Sequence, residues 1–237
     1  MFDSKCLLLC LWFFVGSHAT GNLVPFIDKC LWSDKSCLVT SAQKAVPAFC
    51  DGMPELGVPP MDPLKLSKAK VNEGDLKVVF TDMDVTGTRQ IKVLKVERDI
   101  NKNTLKIVVE CPIDVVGQYD ASGSLLFTPI NGTGAFRVNC QLVEIEVNVN
   151  LNPVDGPDGL KHWKISKTKY SYDAKKQCKF DFKNLENGET VLAVLNASWK
   201  EIIHSIGQPI VKAIVLKAVD QVQTFCDAVP TDQLEIQ

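Results

Sequence analysis

The most constraining feature of the sequence is a long alternation of apolar and polar residues that changes phase in its middle. Even-numbered positions are apolar over residues 136–142, and odd-numbered positions are apolar over residues 143–151. Alternation with a period of two is typical of a β-strand with one buried face. A phase change inside such a strand predicts a β-bulge near Leu142, and a bulge bends the sheet that contains it.

Shorter alternations on both sides of this segment extend the strand pattern over residues 71–183. One covers residues 105–115, and another ends at Phe182. Turn-forming residues at 120–123 and at 155–159 predict tight turns between long strands. We therefore expect a curved, largely antiparallel sheet with one face exposed to water.

From residue 188 to about residue 229 the pattern is helical, because apolar residues recur every three or four positions. Some 40 residues at about 1.5 Å each would form a helix of about 60 Å, and we expect Gly207 and Pro209 to kink it. A compact domain of this size has a diameter of about 45 Å, so a straight helix of that length would not fit inside it. The sequence thus predicts an α+β fold, in which the sheet wraps around a long C-terminal α-helix in one elongated domain.

A shorter helix is expected before the sheet. Ser33 or Asp34 can cap its start, and Gly52 and Pro54 end it. Residues 57–64 contain three prolines, which fix the backbone and remove amide donors. That stretch should therefore be extended.

Residues 1–19 have the features of a signal peptide. Lys5 precedes an apolar run at residues 7–15, and small residues at 17 and 19 place cleavage after Ala19. The run has nine residues, too few to span a bilayer, which needs about 20. We expect residues 20–237 to form a single domain that is secreted into extracellular fluid, with no stable membrane insertion.

Of the nine cysteines, Cys6 and Cys10 precede the expected cleavage site and seven follow it. Secretion predicts that some of the seven form disulfides, and their odd number leaves at least one free or paired between chains. Cys30 and Cys37 are close enough for a short disulfide loop, whereas spacing does not determine other pairs. We expect a monomer. If the cysteine without an intrachain partner is exposed, a disulfide-linked dimer is the alternative.

Composition and missing motifs narrow the function. A net charge of −2 provides no excess of Lys and Arg for binding nucleic acid. No Cys-x-x-Cys occurs and only His162 and His204 follow the cleavage site, so we expect no metal and no other cofactor. The chain also lacks Gly-x-Ser-x-Gly and His-Glu-x-x-His, and residues 82–93 resemble a calcium loop without its final Glu. We therefore expect no enzyme activity.

Several segments, taken in order, are similar to the insect takeout and juvenile-hormone-binding protein family. They are residues 51–64 (DGMPELGVPPMDPL), the cysteines at 30 and 37, and residues 123–134, 184–188, 196–201 and 229–234. The resemblance covers nearly the whole mature chain. It implies a sheet wrapped around a long helix, with an enclosed apolar tunnel that carries juvenile hormone, other terpenoids or fatty-acid-like molecules in haemolymph.

With this resemblance, apolar side chains on the inner face become candidates for the tunnel wall. They are Phe80, Phe127, Phe136, Val138, Val143, Ile145, Phe180 and Trp199. Alternation marks any buried face, so simple core packing stays open for each of them. A hydroxyl of Tyr119, Tyr170 or Tyr172 is a candidate for orienting the polar end of a ligand.

The sequence thus predicts a secreted carrier of a small hydrophobic ligand, either a juvenile-hormone-like terpenoid or a fatty-acid-like lipid. The alternative is a secreted interaction or signalling protein with the same fold and a collapsed tunnel, acting on a receptor or another secreted protein. Two sequons, at Asn131 in a turn-like stretch and at Asn196 on a predicted helix, indicate a glycoprotein.

Overall fold

A computed structural model describes residues 24–125 and 128–236 of the chain, so the predicted signal peptide lies outside the described residues. The strands are β1 (Cys30–Leu31), β2 (Leu64–Glu73), β3 (Leu76–Thr86), β4 (Lys92–Asp99), β5 (Thr104–Leu125), β6 (Thr128–Asp155), β7 (Lys161–Ala174), β8 (Cys178–Phe182) and β9 (Glu235–Ile236). The helices are α1 (Lys35–Asp51), α2 (Gly188–Ala197), α3 (Trp199–Ser205) and α4 (Gln208–Ala228).

The long strands β5 and β6 form the spine of a seven-stranded antiparallel sheet. They have 22 and 28 residues, and each is long enough to pair with two shorter strands in turn. β5 pairs first with β4 and then with β3, whereas β6 pairs first with β8 and then with β7. The main strand order ends at β2 and β7 and does not close into a barrel.

Strand β6 changes its partner at the bulge that the sequence predicts. Cys140 and Val143 pair with residues only two positions apart on β5, so Gln141 and Leu142 lie opposite Pro112 alone. Proline has no backbone N–H to continue the ladder. The bulge near Leu142 is confirmed. Because of it, the apolar side chains in both halves of β6 point toward the helices.

The two predicted turns have different outcomes. The turn at residues 155–159 is confirmed, since Gly156 N–H donates to Leu160 O at 2.8 Å between β6 and β7. The turn at residues 120–123 is wrong, because β5 continues through it to Leu125. Gly123 instead has a φ of +111°, and a Cβ there would lie 2.2 Å from the carbonyl oxygen of Asp75. The glycine therefore serves a close backbone approach inside a strand.

The C-terminal helical segment is present but broken into three helices. α3 and α4 meet at an angle of 59°, so the expected kink at Gly207 is confirmed and the length of about 60 Å for a straight helix does not apply. Among the described residues no single helix is long and apolar enough to cross a membrane, and α3 with α4 meets those limits only as a bent pair.

The N-terminal helix α1 begins where the sequence predicts. The Asp34 carboxylate accepts a hydrogen bond from Cys37 N–H at 3.0 Å, which caps the helix. A disulfide joins Cys30 to Cys37, and β1 pairs in parallel with β9 beside this loop.

Buried apolar side chains form two clusters along the spine. The larger lies between the sheet and helices α2, α3 and the first half of α4, where it includes Ile210 and Ile214. The smaller lies under the end of α4 and includes Val149, Trp163 and Phe225. Because α4 belongs to both clusters, they form one α+β domain.

Candidate functional site

An apolar cavity of about 90 Å³ lies between the sheet and helices α2–α4. The inner faces of β3, β5, β6, β7 and β8 form one wall, and the residues around the α3–α4 break form the other. The described residues that line it are Phe80, Ile113, Val115, Val138, Cys140, Val143, Ile145, Tyr172, Phe180, Phe182, Leu195, Ile202, Ile203, Ile206, Gly207, Ile210, Val211 and Ile214. Among their side chains only Tyr172 carries a hydroxyl, so the site suits an apolar molecule.

A second apolar cavity of about 50 Å³ adjoins the first. Phe80, Phe182, Leu195 and Ile206 line both cavities and therefore form the partition between them. The ring of Phe182 lies edge-on to that of Tyr119, with 4.9 Å between centroids. Phe182 is partly buried and lies at the end of the short strand β8.

The structure brings five of the eight predicted tunnel residues to the larger cavity. They are Phe80, Val138, Val143, Ile145 and Phe180. Phe136 is buried beside Phe80, with 4.8 Å between their ring centroids, and lies outside the lining. Trp199 packs partly buried against the larger cluster and also lies outside it, whereas Phe127 falls outside the described residues. A role of these residues in ligand binding stays a prediction.

Sequence reasoning named none of the residues in the helical wall of the cavity as tunnel candidates. Ile202, Ile206, Ile210 and Ile214 line it from α3, the break and α4. Their spacing of four was visible as a helical stripe, but periodicity identifies a buried face and not the part of it that meets a cavity. The helix break decides which of these side chains converge.

The hydroxyl of Tyr172 donates a hydrogen bond to the carbonyl oxygen of Ile203 at 3.0 Å. The ring stacks on His204 with a centroid distance of 5.4 Å. Burial raises the pKa of the Tyr172 phenol, with a smaller contribution from Tyr170, so the phenol stays protonated at neutral pH. Tyr172 therefore holds helix α3 against β7 and is also part of the cavity lining.

The other two tyrosine candidates lie in different surroundings. Tyr119 lines the smaller cavity, and its hydroxyl donates to the carbonyl oxygen of Lys183 at 2.7 Å. Tyr170 lines neither of the two cavities. Of the three candidate tyrosines, Tyr172 is thus the one that lines the larger cavity.

A second disulfide, which spacing did not determine, joins Cys140 to Cys178 and fastens β8 to β6 at the cavity wall. The described cysteines without a disulfide are Cys50, Cys111 and Cys226, all buried. Burial raises the pKa of the Cys111 and Cys226 thiols to about 12. An exposed cysteine, the condition for a disulfide dimer, is thus not found in the described part of the chain.

The two sequons differ in what their asparagine side chains do. Asn131 is exposed and lies on strand β6, not in the turn that the sequence suggests. The Asn196 Nδ2 donates to the carbonyl oxygens of Phe180 at 3.1 Å and Leu192 at 2.8 Å, and its Oδ1 accepts from Phe180 N–H at 2.9 Å. In the folded chain the Asn196 amide thus fastens α2 to β8.

A concavity larger than either apolar cavity lies on the outside, between α4 and strands β2 and β3. This open groove of about 880 Å³ is lined in part by Lys65, Lys68, Lys217, Asp82, Asp84 and Asp220. Hydrated charges of both signs make it a poor site for an apolar molecule. Among the described residues no group of three or more His, Cys, Asp or Glu could hold a metal ion.

Comparison with known proteins connects this architecture to a family. The family model described as Haemolymph juvenile hormone binding protein (JHBP) matches residues 8–235. The Circadian clock-controlled protein daywake of Drosophila yakuba is 27% identical over 252 residues, covering 97% of this chain and 96% of that protein. The Juvenile hormone-binding protein of Manduca sexta is 23% identical over 150 residues, covering 62% of this chain and 64% of that protein. The crystal structure of Epiphyas postvittana Takeout 1 matches with a TM-score of 0.85 and 26% identity, covering 89% of this chain and 100% of that chain.

Proposed function

Because the chain belongs to the haemolymph juvenile hormone binding protein family, we propose that it is a secreted carrier of one small hydrophobic molecule and not an enzyme. The ligand lies between the sheet and helices α2–α4. The observation that carries the proposal is the lining of the larger cavity, which is apolar apart from the hydroxyl of Tyr172. A juvenile-hormone-like terpenoid or a fatty-acid-like lipid has the matching chemistry.

The two cavities must widen to hold such a ligand. Their volumes are about 90 and about 50 Å³, whereas sites for drug-sized molecules have about 300–1,000 Å³. We infer that binding displaces Phe182 and joins the cavities into one tunnel. Helix breaks at Ser198 and Gly207 divide α2 from α3 and α3 from α4. A shift of α2 and α3 that opens the hydrogen bonds of Asn196 and Tyr172 would therefore leave α4 folded.

The energetics allow this rearrangement. A ligand that hides about 400 Å² of apolar surface gains roughly 10 kcal/mol. Association and the ordering of side chains cost several kcal/mol. A surplus of about 6 kcal/mol corresponds to a dissociation constant in the tens of micromolar.

The first test is native mass spectrometry of the protein secreted by insect cells, followed by organic extraction. We expect a stoichiometric apolar passenger that juvenile hormone or palmitic acid displaces. An empty protein that rejects terpenoids and fatty acids alike would contradict the carrier function. It would favour the secreted interaction or signalling protein with a collapsed tunnel, acting on a receptor or another secreted protein.

A matched pair of variants locates the binding site. Val138→Phe places a ring in the larger cavity, whereas Val149→Phe makes the same change in the smaller core cluster. Each is expected to cost about 1–3 kcal/mol of stability through overpacking. Only Val138→Phe should lower the affinity for the extracted ligand, measured by fluorescence competition. Equal loss of affinity in both variants would place the ligand elsewhere.

A further inference from the structure

Three large apolar side chains stand together on the surface where β1 meets β9. Leu31 pairs with Ile236 in the parallel register, one position after Cys30 pairs with Glu235. Because side chains point alternately to the two sides of a strand, Cys30 is buried, whereas Leu31 is 48% exposed and Ile236 is 46% exposed. The next residue, Trp32, is 45% exposed. We call Leu31, Trp32 and Ile236 the apolar tip.

The backbone holds the apolar tip in place. The disulfide between Cys30 and Cys37 closes the loop that carries Leu31 and Trp32. Within the loop, Asp34 N–H donates to Leu31 O at 3.0 Å, and the Asp34 carboxylate caps α1. Exposed apolar side chains that lie together, unlike single scattered ones, are typical of a surface that contacts another molecule or a membrane.

Positive charge flanks the apolar tip. Lys29 is exposed and forms no ion pair with any described residue. The Lys35 side chain is 69% exposed and reaches Glu97 at 2.8 Å. The acidic residue of the same loop, Asp34, already binds the start of α1. The exposed ammonium group of Lys29 thus lies next to the apolar tip in sequence, and the Lys35 ammonium group, which Glu97 shares, lies within the loop.

We propose that the apolar tip binds the surface of a phospholipid bilayer, with Trp32 in the interfacial layer and Lys29 and Lys35 at the phosphates. Tryptophan prefers this layer because its ring is apolar and its N–H is polar. A stable protein interface buries about 800 Å² per partner, more than three half-exposed side chains supply. Interfacial binding needs only shallow apolar burial together with attraction to anionic lipid. The contact is peripheral and does not depend on a ligand in the cavity.

The test is flotation of the full secreted protein with phosphatidylcholine vesicles, with and without roughly one quarter phosphatidylserine. We expect binding that is stronger with phosphatidylserine. The double variant Leu31→Ser/Trp32→Ser should reduce the bound fraction at least about five-fold, because it removes most of the inserted apolar surface. Leu216→Ser is the matched control, since Leu216 is 44% exposed on α4, and it should bind like the unaltered protein.

Tryptophan fluorescence supplies a second readout, because Trp163 is buried and Trp199 is partly buried. Binding to vesicles should shift the emission of the unaltered protein to the blue, and brominated lipids should quench it. Trp32→Phe should abolish this change while vesicle binding persists, because the phenyl ring still inserts. Circular dichroism and thermal midpoints verify that each variant is folded. Absence of flotation, equal flotation of the double variant, or binding only to another protein would overturn the proposal.

Discussion

At the scale of single residues, His162 lies between two hydrogen-bond acceptors. It is 4% exposed, with Nδ1 at 3.0 Å from the carbonyl oxygen of Cys226 and Nε2 at 3.1 Å from both carboxylate oxygens of Asp158. A neutral imidazole donates only one hydrogen bond, whereas the imidazolium donates both. Burial alone would lower the pKa of His162, but Cys226 O, Asp158 and the more distant Asp227 together raise it.

A raised pKa in the folded state makes stability depend on pH. The charged form of His162 stabilises the fold fully below the unfolded-state pKa of about 6.5, and this stabilisation is lost as pH rises through the folded-state pKa. We expect His162→Gln to lower the free energy of unfolding by about 1.5 kcal/mol at low pH. The loss should shrink as pH rises from below about 6.5 through the raised folded-state pKa of His162, measured by urea unfolding. A loss that does not change with pH would contradict this assignment.

The two sequon asparagines offer a paired prediction. Asn131→Gln should remove a glycan from the secreted protein, seen as a fall in mass, without loss of stability because its side chain is exposed. Asn196→Gln should leave the mass of the glycan unchanged. It should cost about 1–3 kcal/mol in urea unfolding, since backbone groups of β8 lose their partner. A glycan at Asn196 in the folded secreted protein would refute this difference.

At the scale of elements, the break between α3 and α4 shapes the cavity. Gly207 lines it and stands at the start of α4. A Cβ at this position would lie 2.5 Å from the carbonyl oxygen of Ile203, and backbone atoms cannot yield as a flexible side chain does. The glycine therefore permits the 59° bend between the two helices.

An alanine at the break between α3 and α4 should have the opposite effect on stability to the one that helix propensity predicts. Alanine is favoured over glycine by about 1 kcal/mol inside a helix, yet Gly207→Ala should destabilise the protein by about 1–3 kcal/mol because of the clash with Ile203. Gly188→Ala is the control, since a Cβ there would meet Leu185 at an ordinary 3.5 Å. Thermal unfolding should show a lower midpoint for Gly207→Ala alone. A stabilised Gly207→Ala would mean that the break adapts.

At the scale of the whole molecule, the sheet connects two core clusters of different character. The larger cluster contains both apolar cavities, whereas the smaller cluster packs around Trp163 and Phe225. Helices α2 and α3 belong to the first, and α1 packs beside β4 and the second. A ligand in the cavities would thus order one end of the molecule more than the other.

Hydrogen exchange can measure this asymmetry. On addition of juvenile hormone or the extracted ligand, we expect increased amide protection in α2, α3 and β8, because these elements close around the ligand. Protection in α1 should change little. Equal protection across both ends, or a change confined to α1, would contradict a site between the sheet and α2–α4.

Local pattern determined much of the architecture. The phase change at Leu142 located a bulge, the Asp34 cap located a helix start, and Gly207 located a kink, because each depends on a few neighbouring residues. The family resemblance, carried by the proline-rich segment at residues 51–64, is confirmed by the match over residues 8–235. These local features therefore depend little on the residues that pack against them in the folded protein.

Tertiary structure alone decided the site. Periodicity could not separate Phe136, which packs in the core, from Phe182, which divides the cavities, because both lie on inward faces. Turn-forming residues likewise predicted a turn at residues 120–123, where a close approach to Asp75 needs the glycine instead. The pairing of Cys140 with Cys178 and the convergence of the helical wall depend on strands far apart in sequence. Contacts of this kind are non-local, so no window of sequence contains them.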